Sequence, residues 1–127
     1  MSITQPKPLV GRKATAVKVE FESPRRTPYV YFGAAEGVSM GAGFCEIPPG
    51  SSNVRHAHPD ADEVIYVLKG KLRFVFDTEE HLLEPFEAIL IPRGAIHQIF
   101  NDGPDDAAHT FTFAPSGPEG AIKRMYK

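Results

Sequence analysis

His56 and His58 stand two residues apart in the segment Ser51-Ser-Asn-Val-Arg-His-Ala-His-Pro59. On an extended chain that spacing points both imidazoles to one side, because successive strand side chains alternate. Glu63 follows five residues after His58, where a neighbouring strand can return its carboxylate to the same spot. His97 lies in a second apolar run, behind Pro92-Arg-Gly94. Three imidazoles and one carboxylate make a mixed nitrogen and oxygen donor set suited to one first-row divalent metal ion. Iron, manganese, nickel, cobalt, copper and zinc all accept such a set, and the ligand types do not choose among them. On a six-coordinate ion, four protein ligands leave two positions for water or substrate. That openness marks a working site rather than a closed structural one.

The elements that must hold these groups read as short strands. Residues 15–21 alternate Val17, Val19 and Phe21 against Lys18 and Glu20, a half-buried strand, which residues 23–28 break with two prolines. Short aromatic and apolar runs follow at 29–32 and 38–47, the second loosened by Gly41 and Gly43. Residues 54–58 form the ligand strand, closed by Pro59. Residues 63–68 put Glu63, Ile65 and Val67 on one face and Val64, Tyr66 and Leu68 on the other. One face lines the interior, so the second needs cover from another sheet or another subunit. Further strands read at 71–76, 81–84, 88–91, 95–101 and 109–113, with helical periodicity only at 120–126. Many short strands between Gly, Pro and Asp turns predict an all-β sandwich or barrel. Residues 1–13 read as an N-terminal arm and 14–127 as one domain.

With 127 residues, 42% of them apolar and 24% charged, the chain is long enough for one real core. A net charge of −2 with scattered basic residues gives no electrostatic case for nucleic acid. No run approaches the ~18 apolar residues of a membrane span, so no membrane partner is expected. No apolar leader segment stands out near Met1. Cys45, the single cysteine, fits a reducing compartment and reads as a small buried hydrophobe, which makes the cytoplasm the expected location.

These residues resemble the cupin superfamily. Its first motif, G-x5-H-x-H-x3/4-E-x6-G, is matched by Gly50, His56, His58, Glu63 and Gly70. Its second, G-x5-P-x-G-x2-H-x3-N, is matched by Pro92, Gly94, His97 and Asn101. The resemblance implies a cupin-type double-stranded β-helix, a jelly-roll barrel with the metal inside. It also implies a small single-domain microbial cupin that pairs as a homodimer through the outer face carrying Val64, Tyr66 and Leu68. Phe86 departs from the pattern, standing where the family has glycine. A type II turn would need positive φ there, so a type I turn with negative φ at Phe86 is expected.

A metal-dependent enzyme on a small organic substrate is the functional expectation, with dioxygenase-type oxidoreductase chemistry first. A metal-dependent lyase or isomerase and a non-catalytic small-molecule or sugar-binding module are the rivals. A lyase needs a positioned base, which Tyr31, His109 or Tyr126 would have to supply. Blander roles are expected elsewhere: His81 exposed, His109 at an edge or surface, Asp60 and Asp62 in a turn, Asn101 supporting backbone, Tyr29 and Tyr31 in packing.

Overall fold

The period-two patterning is realised as ten short strands, all paired antiparallel, in a computed structural model that describes residues 5–124. In chain order they are β1 (Val17–Lys18), β2 (Phe21–Glu22), β3 (Arg25–Phe32), β4 (Gly41–Ile47), β5 (Asp62–Lys69), β6 (Leu72–Phe76), β7 (Glu80–Leu83), β8 (Ala88–Ile91), β9 (His97–Phe100) and β10 (Ala107–Ala114). One helix, α1 (Pro118–Arg124), follows. The larger sheet runs β1-β3-β4-β10-β5-β8, with β2 on β3, and the smaller runs β7-β6-β9. The two face each other as a jelly-roll barrel.

Side-chain alternation decides which face goes inward. On β5, Glu63, Ile65 and Val67 are buried while Val64 and Leu68 stay exposed. Ile65 and Val67 meet Leu72 and Phe74 of the opposite sheet, all four at 0% exposure. Full burial of side chains of this size is worth ~1.5–3 kcal/mol each. This is the central core. A second cluster, Val30, Ala61, Phe111 and Phe113, packs with Ile122 of α1. On the outer face of β5, Val64 and Leu68 remain exposed, while the Phe86 ring lies 6.4 Å from that of Tyr66. Tyr66 lies half-buried there, opposite Glu63.

Several boundaries differ from the sequence expectation. The strand at 15–21 is two two-residue pieces, and β3 starts at Arg25, inside the stretch read as a break. Phe21 pairs Arg26 across that β2–β3 hairpin. Gly41 and Gly43 do not loosen β4, which pairs β3 and β10 along its length. A Cβ at Gly41 would instead land inside the Glu119 carboxylate. That buried carboxylate accepts from Ala34 N at 3.3 Å and Gly117 N at 2.7 Å, which ties α1 to the barrel. Residues 5–12 are exposed and form no strand or helix.

Two expectations are overturned. Phe86 has φ +72°, not a negative value. The turn is closed by Glu87 N donating to Glu84 O at 3.1 Å, while Phe86 N donates to Val67 O and Val67 N to Glu87 O, both at 2.9 Å. Backbone pairing to β5 therefore fixes the turn, and it outweighs the ~1–2 kcal/mol that a β-carbon costs in the left-handed region. The ring pays for this only in exposure, at 78%.

The second is the ligand strand at residues 54–58, which is not a strand. Isolated bridges, Ser52↔Phe100 and His56↔His97, pair this stretch of chain with β9 in place of a continuous ladder, and Asn53 N also donates to Ile99 O at 3.0 Å. Between them Ile99 N donates to the Asn53 side-chain oxygen at 2.7 Å, which takes the place of a backbone partner and interrupts the ladder.

Candidate metal centre

His56 and His58 are positioned by the loop that runs beside β9, and His97 by β9 itself. His56 N donates to His97 O at 3.0 Å and His97 N to His56 O at 2.9 Å, so the two backbones are locked in register. Gly94 N donates to His58 O at 2.9 Å. Asp62 accepts from Arg93 N at 2.9 Å and from the Arg93 guanidinium, which holds the β8–β9 turn against the start of β5. Those bonds keep the Asp62 carboxyl below its usual range. Asp62 is thus not the turn residue expected: it is the first residue of β5, paired with Ala114, and its carboxylate braces the turn beside it. Asn101 supports backbone as expected, donating to Ile47 O and Asp105 O at 2.9 Å each.

The three imidazoles converge. One ring nitrogen from each of His56, His58 and His97 falls within 4.8 Å of the others. Glu63 enters from β5, its Oε1 at 3.6 Å from both His58 Nε2 and His97 Nε2. That is too long for a hydrogen bond. Two donors on one ion at ~2.1 Å, at angles between octahedral and tetrahedral, stand ~3.0–3.4 Å apart, close to what is seen.

Backbone carbonyls set the tautomers. His56 Nδ1 faces Val54 O at 2.7 Å and His97 Nδ1 faces Ala95 O at 2.9 Å. A carbonyl only accepts, so Nδ1 carries the hydrogen on each ring and the Nε2 lone pair is left for a ligand bond. Burial, the largest cause, also lowers the pKa of His56 and of His58, favouring the neutral form that can ligate. Among the described residues, the buried side-chain polar atoms without a partner are Glu63 Oε1 and His97 Nε2. Both belong to this cluster. A buried carboxylate oxygen facing a buried lone pair is costly unless a cation lies between them. The donor set fits a divalent transition metal.

The cluster opens into a cavity of about 350 Å³. Its walls are mainly apolar, with Ile99, Phe111 and Phe113 from the barrel and Ile122 from α1. Pro118 and Ala121 also reach the lining, so α1 forms a wall of the mouth without filling it.

Three further lining residues went unnoticed or were placed elsewhere by the sequence reading. His109, expected at an edge or surface, is buried on β10 and faces the cavity. Its parity with Phe111 and Phe113 carried that signal. Its Nδ1 faces Thr110 O at 2.7 Å, so its Nε2 also keeps a lone pair, and burial lowers its pKa. Arg26 lines the same cavity, in step with buried Pro28 and Val30 on β3. Cys45 is buried as expected but borders the cavity, its thiol pushed up to about 12 by burial. The other readings hold where described: His81 is exposed, and Tyr29 is buried and stacked on Phe44 at 4.4 Å. Tyr126 lies outside the described residues.

Comparison with known proteins agrees with this architecture. A sequence model described as the Cupin domain matches residues 43–113. The tetracenomycin polyketide synthase protein TcmJ of Streptomyces glaucescens is 37% identical over 76 residues, covering 60% of this chain and 51% of that protein. The chain spans about half the length of the first curated relatives it matches. The crystal structure of a predicted oxalate decarboxylase from Thermotoga maritima superposes with a TM-score of 0.74 at 18% identity, covering 84% of this chain and 99% of that one. At that identity it speaks for the fold alone. A recombinant oxalate oxidase in complex with glycolate superposes with a TM-score of 0.59 at 27% identity, covering 63% of this chain and 44% of that one. Among the described residues no helix is long and apolar enough to cross a membrane.

Proposed function

This chain belongs to the cupin family, and we propose that it is a metal-dependent enzyme acting on a small organic molecule, an oxidoreductase of dioxygenase type whose substrate binds at the metal. His56, His58, Glu63 and His97 would hold the ion. The observation that carries the reading is the pair of orphaned buried atoms, Glu63 Oε1 and His97 Nε2, facing one another at the base of an apolar cavity. Such an ion, when bound, supplies Lewis-acid charge and, if redox-active, a route for electrons. The chain supplies the rest. Val54 O and Ala95 O orient two imidazoles, and Glu63 contributes the one negative charge of the set. Phe111 and Phe113 keep water from the reacting end, which strengthens every charge interaction there. The oxalate oxidase seen with glycolate is a relative that takes a small organic acid, which supports a small substrate here.

One observation favours a second reading, a metal-dependent lyase or isomerase. His109 reaches the cavity with a free Nε2 lone pair, so it is placed to take a proton from bound substrate. Elemental analysis of protein purified without added metal, followed by turnover of small carbonyl and phenolic compounds with and without O2, separates the readings. Dioxygenase chemistry is expected to consume O2 in step with substrate, to stop anaerobically and to survive His109→Asn. Turnover that continues anaerobically and is lost in H109N would establish the lyase or isomerase instead. Protein that takes up no transition metal would sink both.

A further inference from the structure

Arg26 is the one charged side chain in the cavity that the candidate ligand set does not absorb. Arg25, Arg55, Arg73 and Arg93 each meet a carboxylate, those of Glu22, Asp77, Asp102 and Asp62 respectively. Arg26 meets none among the described residues, although it alone of these five lines the metal cavity. Its one side-chain hydrogen bond runs from Nη1 to Pro24 O at 3.0 Å. The guanidinium carbon sits 4.0 Å from the centre of the Phe21 ring, across the β2–β3 pair. One carbonyl and one aromatic face therefore hold the plane while most of its N–H groups lack a partner. Partial burial lowers its pKa, in keeping with a cation partly withdrawn from water with no carboxylate beside it.

Charge balance in the cavity points the same way. A divalent ion on three neutral imidazoles and one carboxylate keeps a net single positive charge, and Arg26 adds another. His109 is held neutral by burial, and no carboxylate besides Glu63 lines the space. A half-buried cation at one place and a candidate cation site at another, in one apolar cavity of about 350 Å³, make a receptor for an anion with an apolar body.

We propose that Arg26 is the specificity-determining anchor of this site, and that its substrate is a small organic acid whose carboxylate the guanidinium takes. The inference rests on the enzymatic reading above for the word substrate, but Arg26 should hold the acid whether or not an ion is bound. A planar, always-charged fork presents paired donors to a carboxylate, which a lysine does not reproduce.

The test is calorimetric binding of benzoate and glycolate, each against its primary amide, to the full chain with and without manganese(II). The unmodified protein is expected to bind at least one acid ~10- to 100-fold more tightly than its amide, the range of a charge-assisted hydrogen bond. Arg26→Gln should remove that preference by the same factor, leave amide binding unchanged and leave metal uptake intact. Arg26→Lys, which keeps the charge and guards against a folding defect, should retain part of it. The loss in R26Q should persist in metal-free protein. If metal uptake fails while R26Q still loses the acid, the metal reading falls and the anchor stands. R26Q that binds both acids as tightly as the unmodified protein would overturn the proposal, as would an unmodified protein that does not distinguish either acid from its amide.

Discussion

Replacing Glu63 by glutamine should stabilise the metal-free protein and destabilise the metal-loaded one. Glu63 is 5% exposed, and its Oε1 has no partner. A buried acceptor left unsatisfied costs ~1–3 kcal/mol, and more when charged. Glutamine removes the charge and can place an N–H donor where Oε1 stands, 3.6 Å from the other orphan, His97 Nε2, a gap that a small side-chain rotation closes. The metal-free variant is therefore expected to be more stable by ~1–2 kcal/mol, or ~3–8 °C in Tm for a chain of this size. With metal at a hundred times its Kd, the unmodified protein gains ~2.7 kcal/mol by linkage. The variant, short of one ligand in four, should gain far less. The order of stabilities then reverses on adding metal.

Urea unfolding followed by far-UV circular dichroism reads both orders, and the absence of tryptophan from the chain makes that signal preferable to fluorescence. Glu63→Leu serves as a control that removes the charge without adding a donor. It should share the metal-loaded loss and less of the metal-free gain. If E63Q is less stable than the unmodified protein by the same amount with and without chelator, the carboxylate has a protein partner in solution. The argument from orphaned atoms would then be wrong.

The positive φ of Phe86 makes Phe86→Gly more stable than Phe86→Ala by ~1 kcal/mol, because alanine keeps the β-carbon in the left-handed region while both lose an exposed ring. Equal thermal midpoints for the two variants would show that the turn relaxes to negative φ in solution. We also propose a homodimer formed through the outer face of β5, where Val64 and Leu68 are exposed beside Leu90 of β8. Light scattering should return twice the 14.0 kDa chain mass, and Leu68→Lys should halve it; a single chain mass for the unmodified protein would end the idea.

How much of this was legible in the sequence follows from how local each feature is. Period two set the inward face of β5 and β9, so Glu63, His97 and Ile99 could be placed without a structure. The loop at residues 54–58 could not, because the Asn53 side chain substitutes for a strand bond and no pattern of hydrophobicity records that. Phe86 failed for a related reason. Its own preference is negative φ, and bonds to Val67, distant in sequence, override it. Arg26 and His109 were legible by parity, in step with Pro28 and Val30 and with Phe111 and Phe113. Polar residues in apolar strands invite an edge or surface reading until a cavity gives them something to face.

The ligand set draws on both layers of the fold, and this gives the candidate ion a structural consequence. Glu63 comes from β5 of the larger sheet, whereas His97 belongs to β9 of the smaller sheet and the loop bearing His56 and His58 is hydrogen-bonded to β9. An ion held by all four would cross-link the sheets at the end where the cavity opens. At the other end, Ile65 and Val67 against Leu72 and Phe74 hold the layers together without it. The fold should therefore survive metal removal through that core. The freedom gained should be concentrated at the mouth, where His58 meets Phe113 and His56 edge-on, with ring centres 4.9 and 4.8 Å apart. The polar groups that cost stability in metal-free protein are thus the ones through which a bound ion would tighten the barrel around its substrate.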